Sequence, residues 1–158
     1  MITFPPEWSE CIDLLCIHRV RFLVVGAHAL AASGRPRATQ DIDLWVEPSE
    51  ENARRLGAAL ADFGYRALAR QWRRFTEADR MATLGRPPLQ IDILTSISGV
   101  SFATAWKGRR RLRHGTNWVG FLGERELIRN KRAAGRPKDL LDIELLKEAR
   151  PPVRKRRR

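Results

Sequence analysis

Two aspartates one residue apart are set into an apolar run, Asp41-Ile42-Asp43-Leu44-Trp45-Val46, and that run leaves the chain around it few choices. On an extended strand, residues two apart share a face, so Asp41 and Asp43 project together while Ile42 and Leu44 turn to a core. Like charges on one face repel, and aspartate is a poor strand former. The arrangement costs stability unless a cation sits between the carboxylates. Hard oxygen donors with no histidine or cysteine in the run favour magnesium over zinc. A solvent-facing strand end that carries two aspartates by chance has the same spacing, so a third group is needed to decide.

Asp92 is a candidate for that group. It lies between apolar neighbours in Gln90-Ile91-Asp92-Ile93-Leu94, after a turn at Arg86-Pro87-Pro88. If the two strands are neighbours, all three acids converge, and two metal ions roughly 3.5–4 Å apart can clamp a triphosphate and activate a hydroxyl. Standing alone, Asp92 reads equally well as a polar residue on an exposed face. Upstream, Val24-Val25-Gly26-Ala27-His28 ends a buried strand and opens a helix. Glycine lets backbone approach a phosphate, and free amides at a helix start favour its charge, although any tight turn there also wants glycine. His28 fits a packing or helix-start role better than a phosphate contact.

Periodicity supplies the remaining elements. Helices are expected over residues 7–18 and 27–32, with strands over 21–25 and 41–46. Pro48-Ser49 opens a helix that runs to residue 62, with Leu56, Ala59, Leu60 and Phe63 inward and Gly64 as its stop. Residues 65–68 and 73–75 read as short strands, 89–94 as a clear strand, 101–107 as a helix and 117–121 as a last strand. Two helices over 124–134 and 137–148, joined at Gly135, complete the chain. The fold class is α/β or α+β, a mixed central sheet flanked by helices with a helical C-terminal end. One domain over residues 1–149 and a basic, disordered tail over 150–158 are expected.

Charge narrows the partners. Thirty Lys and Arg against eighteen Asp and Glu give +12. The tail from residue 150 carries half of that excess, and the part that remains basic suits a polyanion such as RNA, DNA or nucleotide phosphates. The tail itself fits a solvated end as well as a nucleic-acid contact. The run Arg109-Arg110-Arg111-Leu112-Arg113-His114 reads as a solvated turn or strand, or as a contact for an acceptor RNA. Trp45, Trp106 and Trp118 recur at no fixed interval, which points to core or sheet packing over a base-stacking platform. Cys11 and Cys16 fall in one helix, pointing to different sides as free thiols. Residues 1–10 hold neither a basic run nor a long apolar stretch, so a soluble cytoplasmic chain without a membrane partner is expected.

Together these residues resemble the nucleotidyltransferase superfamily that includes DNA polymerase beta. Its signature is an apolar strand ending in Gly-Gly or Gly-Ser, a short helix, a strand with two carboxylates one residue apart, and a third acid on a later strand. Gly26, Asp41 with Asp43, and Asp92 match in order. The segment Arg37-Ala38-Thr39-Gln40-Asp41-Ile42-Asp43-Leu44 and the stretch from Leu127 to Asp142 are similar to the small bacterial branch related to abortive-infection and toxin–antitoxin nucleotidyltransferases. The resemblance covers roughly residues 20–148.

It implies that Asp41, Asp43 and Asp92 are catalytic and hold two magnesium ions (Mg2+), with a nucleoside triphosphate as substrate. Gly26, Ala27 and Lys131 would position its phosphates, and an RNA end or a protein would supply the acceptor hydroxyl. A partner toxin or antitoxin is implied as well. Ala27 departs from the pattern, keeping the small size but losing any hydroxyl contact. Lys131 lies in register with Leu127 and Ile128, so it either snorkels from the apolar stripe or, by resemblance, reaches the triphosphate. Arg136, Lys138, Asp139 and Asp142 gather at the start of the last helix, where acids are ordinary caps before they are functional groups. Two rivals keep the same residues without the chemistry: an inactive interaction or antitoxin module, and a basic nucleic-acid-binding domain.

Deleting residues 153–158 is expected to leave the melting temperature nearly unchanged while weakening salt-sensitive binding to RNA or DNA. A large drop in melting temperature would show that the tail is packed.

Overall fold

The computed structural model of the chain describes residues 1–35 and 39–148. Arg37 and Ala38 of the resembling segment, and the tail with its expected disorder, lie outside the described residues. Helix α1 (Pro6–Ile17) leads to strand β1 (Phe22–Val25), α2 (Gly26–Ala32), β2 (Asp41–Val46) and α3 (Glu50–Asp62). There follow α4 (Arg66–Arg70), a 3-10 turn (Trp72–Thr76), and the strands β3 (Met81–Leu84) and β4 (Gln90–Leu94). The chain closes with α5 (Phe102–Lys107), β5 (Arg110–His114), β6 (Asn117–Phe121), α6 (Glu124–Ala134) and α7 (Pro137–Glu148). The strands form one mixed sheet in the order β3-β4-β2-β1-β6-β5, with β2–β4 and β1–β6 parallel and the other pairs antiparallel.

Alternation along the strands gives the sheet two apolar faces. Phe22, Val24, Ile42, Leu44, Ile91, Ile93 and Phe121 turn to one side, where they pack with Leu15 of α1 and Leu56 and Leu60 of α3. Leu23, Val25 and Trp45 turn to the other, against Leu30 of α2, Phe102 of α5, Leu127 of α6 and Ile143 of α7. Asp41 and Asp43 belong to this second face, four and two residues before Trp45. The core thus has helices on both sides, and the acids sit in the layer built by α2, α6 and α7.

Residues 65–84 differ from expectation. The two short strands expected at 65–68 and 73–75 are α4 and the 3-10 turn. Arg66-Ala67-Leu68-Ala69-Arg70 consists of strong helix formers, and the Leu68, Ala69, Trp72 and Phe75 side chains pack onto the first core. The missed strand is β3, whose exposed and buried residues alternate along Met81–Leu84. Trp118 also departs from the packing expected of it. It stands 52% exposed on β6, beyond the helices that cover the second face, whereas Trp45 is buried as expected. Cys11 and Cys16 are free thiols, and burial pushes the Cys11 thiol up to about 12.

One buried polar side chain ties the sheet to α3. Asn52 accepts from the Arg21 amide at 2.7 Å and donates to the carbonyls of Arg21 at 3.0 Å and Glu47 at 2.9 Å. It thereby closes the start of β1 and the end of β2 against the helix that Ser49 caps through the Asn52 amide. Asn52→Ala leaves these backbone groups without partners and is expected to lower stability by roughly 3 kcal/mol, read by chemical denaturation. Ser49→Ala is expected to cost only about 1 kcal/mol.

Candidate metal centre

Parallel pairing of β2 with β4 puts Asp43 directly opposite Asp92 and Asp41 opposite Gln90. The three carboxylates of Asp41, Asp43 and Asp92 each offer an oxygen, and these oxygens lie within 4.8 Å of one another. The convergence expected from the spacing is therefore present on one face of one sheet. Asp92 is buried, and Asp41 and Asp43 are half-buried. Thr83 on β3 donates to Asp92 Oδ1 at 2.8 Å, and the Gln90 amide donates to both Asp92 oxygens at 3.1 and 3.2 Å. Thr39 donates to Asp41 Oδ1 at 2.8 Å. The Asp43 carboxylate has no hydrogen-bond donor among the described residues. An all-oxygen donor set fits a hard cation, and the cluster could hold a metal ion.

The charge at Asp43 shows how crowded the cluster is. Burial, with Asp41 and Asp92 beside it, pushes its carboxyl up to about 6, against the pull of Lys138 and Arg136. Gly26 abuts the same group. Its backbone is left-handed, at φ +67°, and a side chain there would overlap the Asp43 carboxylate. Glycine is required on both counts, by the turn and by the aspartate, whatever its use toward a phosphate. His28 takes the packing role, its ring edge-on to Trp8 at 5.1 Å and to Phe4 at 5.9 Å.

A cleft of about 590 Å³ opens over the cluster, with Gly26, Ala27, Asp41 and Asp43 on one wall and Lys131, Arg136 and Lys138 on the other. Lys131 does not snorkel. It is buried, with its amine 2.8 Å from Asp142 and 3.7 Å from Asp139. Arg136 donates to Asp139 through Nε at 2.7 Å, and the Arg136 amide donates to the same oxygen at 3.2 Å, so Asp139 acts as the structural acid that a helix start calls for. Gly135, left-handed at φ +67°, turns the chain from α6 into α7 and brings both cationic segments to one side.

Thr39, Thr83 and Gln90 escaped the sequence reading. Gln90 shares the face of Asp92 two residues on, a signal that period two carries. Thr83 has no such signal, because its strand was not legible.

With its folded value raised to about 6 against an ordinary 3.8, Asp43 binds a proton more readily in the folded protein. Its contribution to stability is fullest below about pH 4 and is lost as pH rises through 6, a difference on the order of 2–3 kcal/mol. In chelator, Asp43→Asn is expected to melt above the wild type at pH 7.5, with the gap closing toward pH 4. A gap that does not change with pH would rule out the crowding.

Compared with known proteins, the chain matches no family model and no curated sequence.

Proposed function

We propose that this chain is a metal-dependent nucleotidyltransferase, moving a nucleoside monophosphate from a nucleoside triphosphate to a hydroxyl on an RNA end or a protein. The observation that carries this reading is one cleft lined both by Asp41 and Asp43, which converge with the buried Asp92, and by Lys131, Arg136 and Lys138. One wall suits metal ions and the other suits phosphate oxygens, the pairing that phosphoryl chemistry needs. Two magnesium ions, held by Asp41 and Asp43 with Asp92 completing one site, would neutralise the triphosphate and acidify the acceptor hydroxyl.

In the reaction, the hydroxyl oxygen bonds to the α-phosphorus while the bond from that phosphorus to its bridging oxygen breaks, and the electron pair leaves with pyrophosphate. Asp92 would take the hydroxyl proton, with Thr83 and Gln90 fixing its orientation. Gly26 and Ala27 would let the phosphates approach the backbone, and Arg136 and Lys138 would bind their oxygens. Lys131 would join them by giving up part of its contact with Asp142. A toxin or antitoxin partner is in keeping with the resemblance.

A second reading, an inactive module on the same fold, draws on that contact. The Lys131 amine is already paired at 2.8 Å, and Ala27 replaces the family's glycine or serine. Melting curves separate the two. Millimolar magnesium with a nucleoside triphosphate is expected to raise the wild-type melting temperature by several degrees, as a ligand well above its Kd does, and that of Asp43→Asn far less. With α-labelled triphosphates and total cell RNA or protein, the wild type is expected to label one polymer and Asp43→Asn to label it at least about a hundredfold more slowly. No shift and no label with any of the four common triphosphates would leave the inactive module as the better reading.

A further inference from the structure

Away from the acidic cluster, arginines and tryptophans crowd the opposite end of the strands. In the β1–β6 pairing Val24 lies beside Phe121, so Trp118, three residues earlier, is level with the start of β1, while Val25 at its end is level with Asp43. The Arg111 and Arg113 guanidiniums of β5 lie 5.4 and 5.3 Å from the centre of the Trp118 ring. Arg109 lies 3.9 Å over Trp106 and donates to that residue's carbonyl at 2.5 Å, and Arg21 lies 5.3 Å over the same ring. A groove of about 340 Å³ runs between the two tryptophans. Two of its lining residues are engaged by carboxylates, Arg21 by Glu47 at 3.3 Å and Asn117 by Asp13 at 2.9 Å. Burial, with Arg111 and Arg21 nearby, pushes the Arg109 guanidinium below its ordinary value, so these cations crowd one another as the aspartates do.

Packing alone does not account for the cluster. Guanidiniums laid on a ring to cover it would leave the ring closed, yet Trp118 is half open. Charge on an edge strand deters self-pairing, but that needs no exposed indole.

We propose that this surface binds single-stranded nucleic acid, with a base stacked on Trp118 and phosphates paired with Arg109, Arg111 and Arg113. Open indole rings and guanidinium planes take unstacked bases, and forked guanidiniums take phosphate oxygens. A duplex keeps its bases inside, and an acidic peptide would engage the arginines while leaving Trp118 without a partner. The proposal does not rest on the reading of the acidic centre.

The test uses the full chain and a fluorescein-labelled oligouridylate of about a dozen nucleotides, with anisotropy and tryptophan emission read in chelator without nucleotide. A dead acidic centre leaves this measurement untouched. The wild type is expected to bind with quenched emission and to prefer the single strand over a duplex of equal charge. Trp118→Ala is expected to weaken binding by about tenfold, and Trp118→Phe to keep most of the affinity while losing much of the quenching. Arg111→Gln with Arg113→Gln is expected to flatten the log–log salt slope by about 1.4, the share of two phosphates on a single strand. The proposal is overturned if Trp118→Ala and the double arginine variant both bind as the wild type does. Equal affinity for the duplex also overturns it, as does displacement by polyglutamate charge for charge, which would favour an acidic protein partner.

Discussion

The side-by-side pairing of β2 and β4 forces Asp43 against Asp92, and much of the surrounding structure serves to tolerate that contact. Two neighbouring parallel strands cannot place acids in register without repulsion, and half-burial raises the cost further. Thr83, Gln90 and Thr39 steady the outer two carboxylates by hydrogen bonds, while Gly26 withdraws its side chain altogether to leave room for the third. The apolar alternation of Ile42, Leu44, Ile91 and Ile93 on the reverse face is what holds the register in place. A slip of one residue would bury the acids and expose the core.

The cleft is built from two elements of different kinds. The acidic wall is sheet, fixed by strand hydrogen bonds, and the basic wall is a helix pair joined at a left-handed glycine. Lys131 connects the ends of that pair, because its amine on α6 reaches Asp142 on α7. A buried ion pair contributes less to stability than its geometry suggests, but removing one partner strands the other. Here it links α6 to α7 across the turn that carries Arg136 and Lys138.

Legibility followed the strength of the local pattern. β2, β6, α6 and α7 were readable to the residue because period two or period 3.6 persists there and glycine or proline marks the ends. Residues 65–84 were not, since a five-residue helix, a 3-10 turn and a four-residue strand are each shorter than the window in which periodicity shows. The acidic centre was legible because its three members carry the same charge in the same local pattern. Its supports were harder to find. Thr83 acts across 9 residues of chain, as Asn52 does across 31 where α3 meets the sheet, and only the folded register brings each to its partners. Trp118 misled for the opposite reason, since a tryptophan inside a strand pattern looks like core unless one knows where the covering helices stop.

The sheet ends on one side in β5, with Arg110, Arg111 and Arg113 on a five-residue strand. An open strand edge is a template on which another chain can continue the ladder. Two copies of β5 brought together would set these guanidiniums against their own kind, at a spacing of about 5 Å between backbones. The array therefore refuses its own copy while still attracting anything negatively charged. Fibre-like growth through this edge is opposed by that charge together with the N-terminal segment, whose Ile2 amide already takes the Arg113 carbonyl at 2.8 Å.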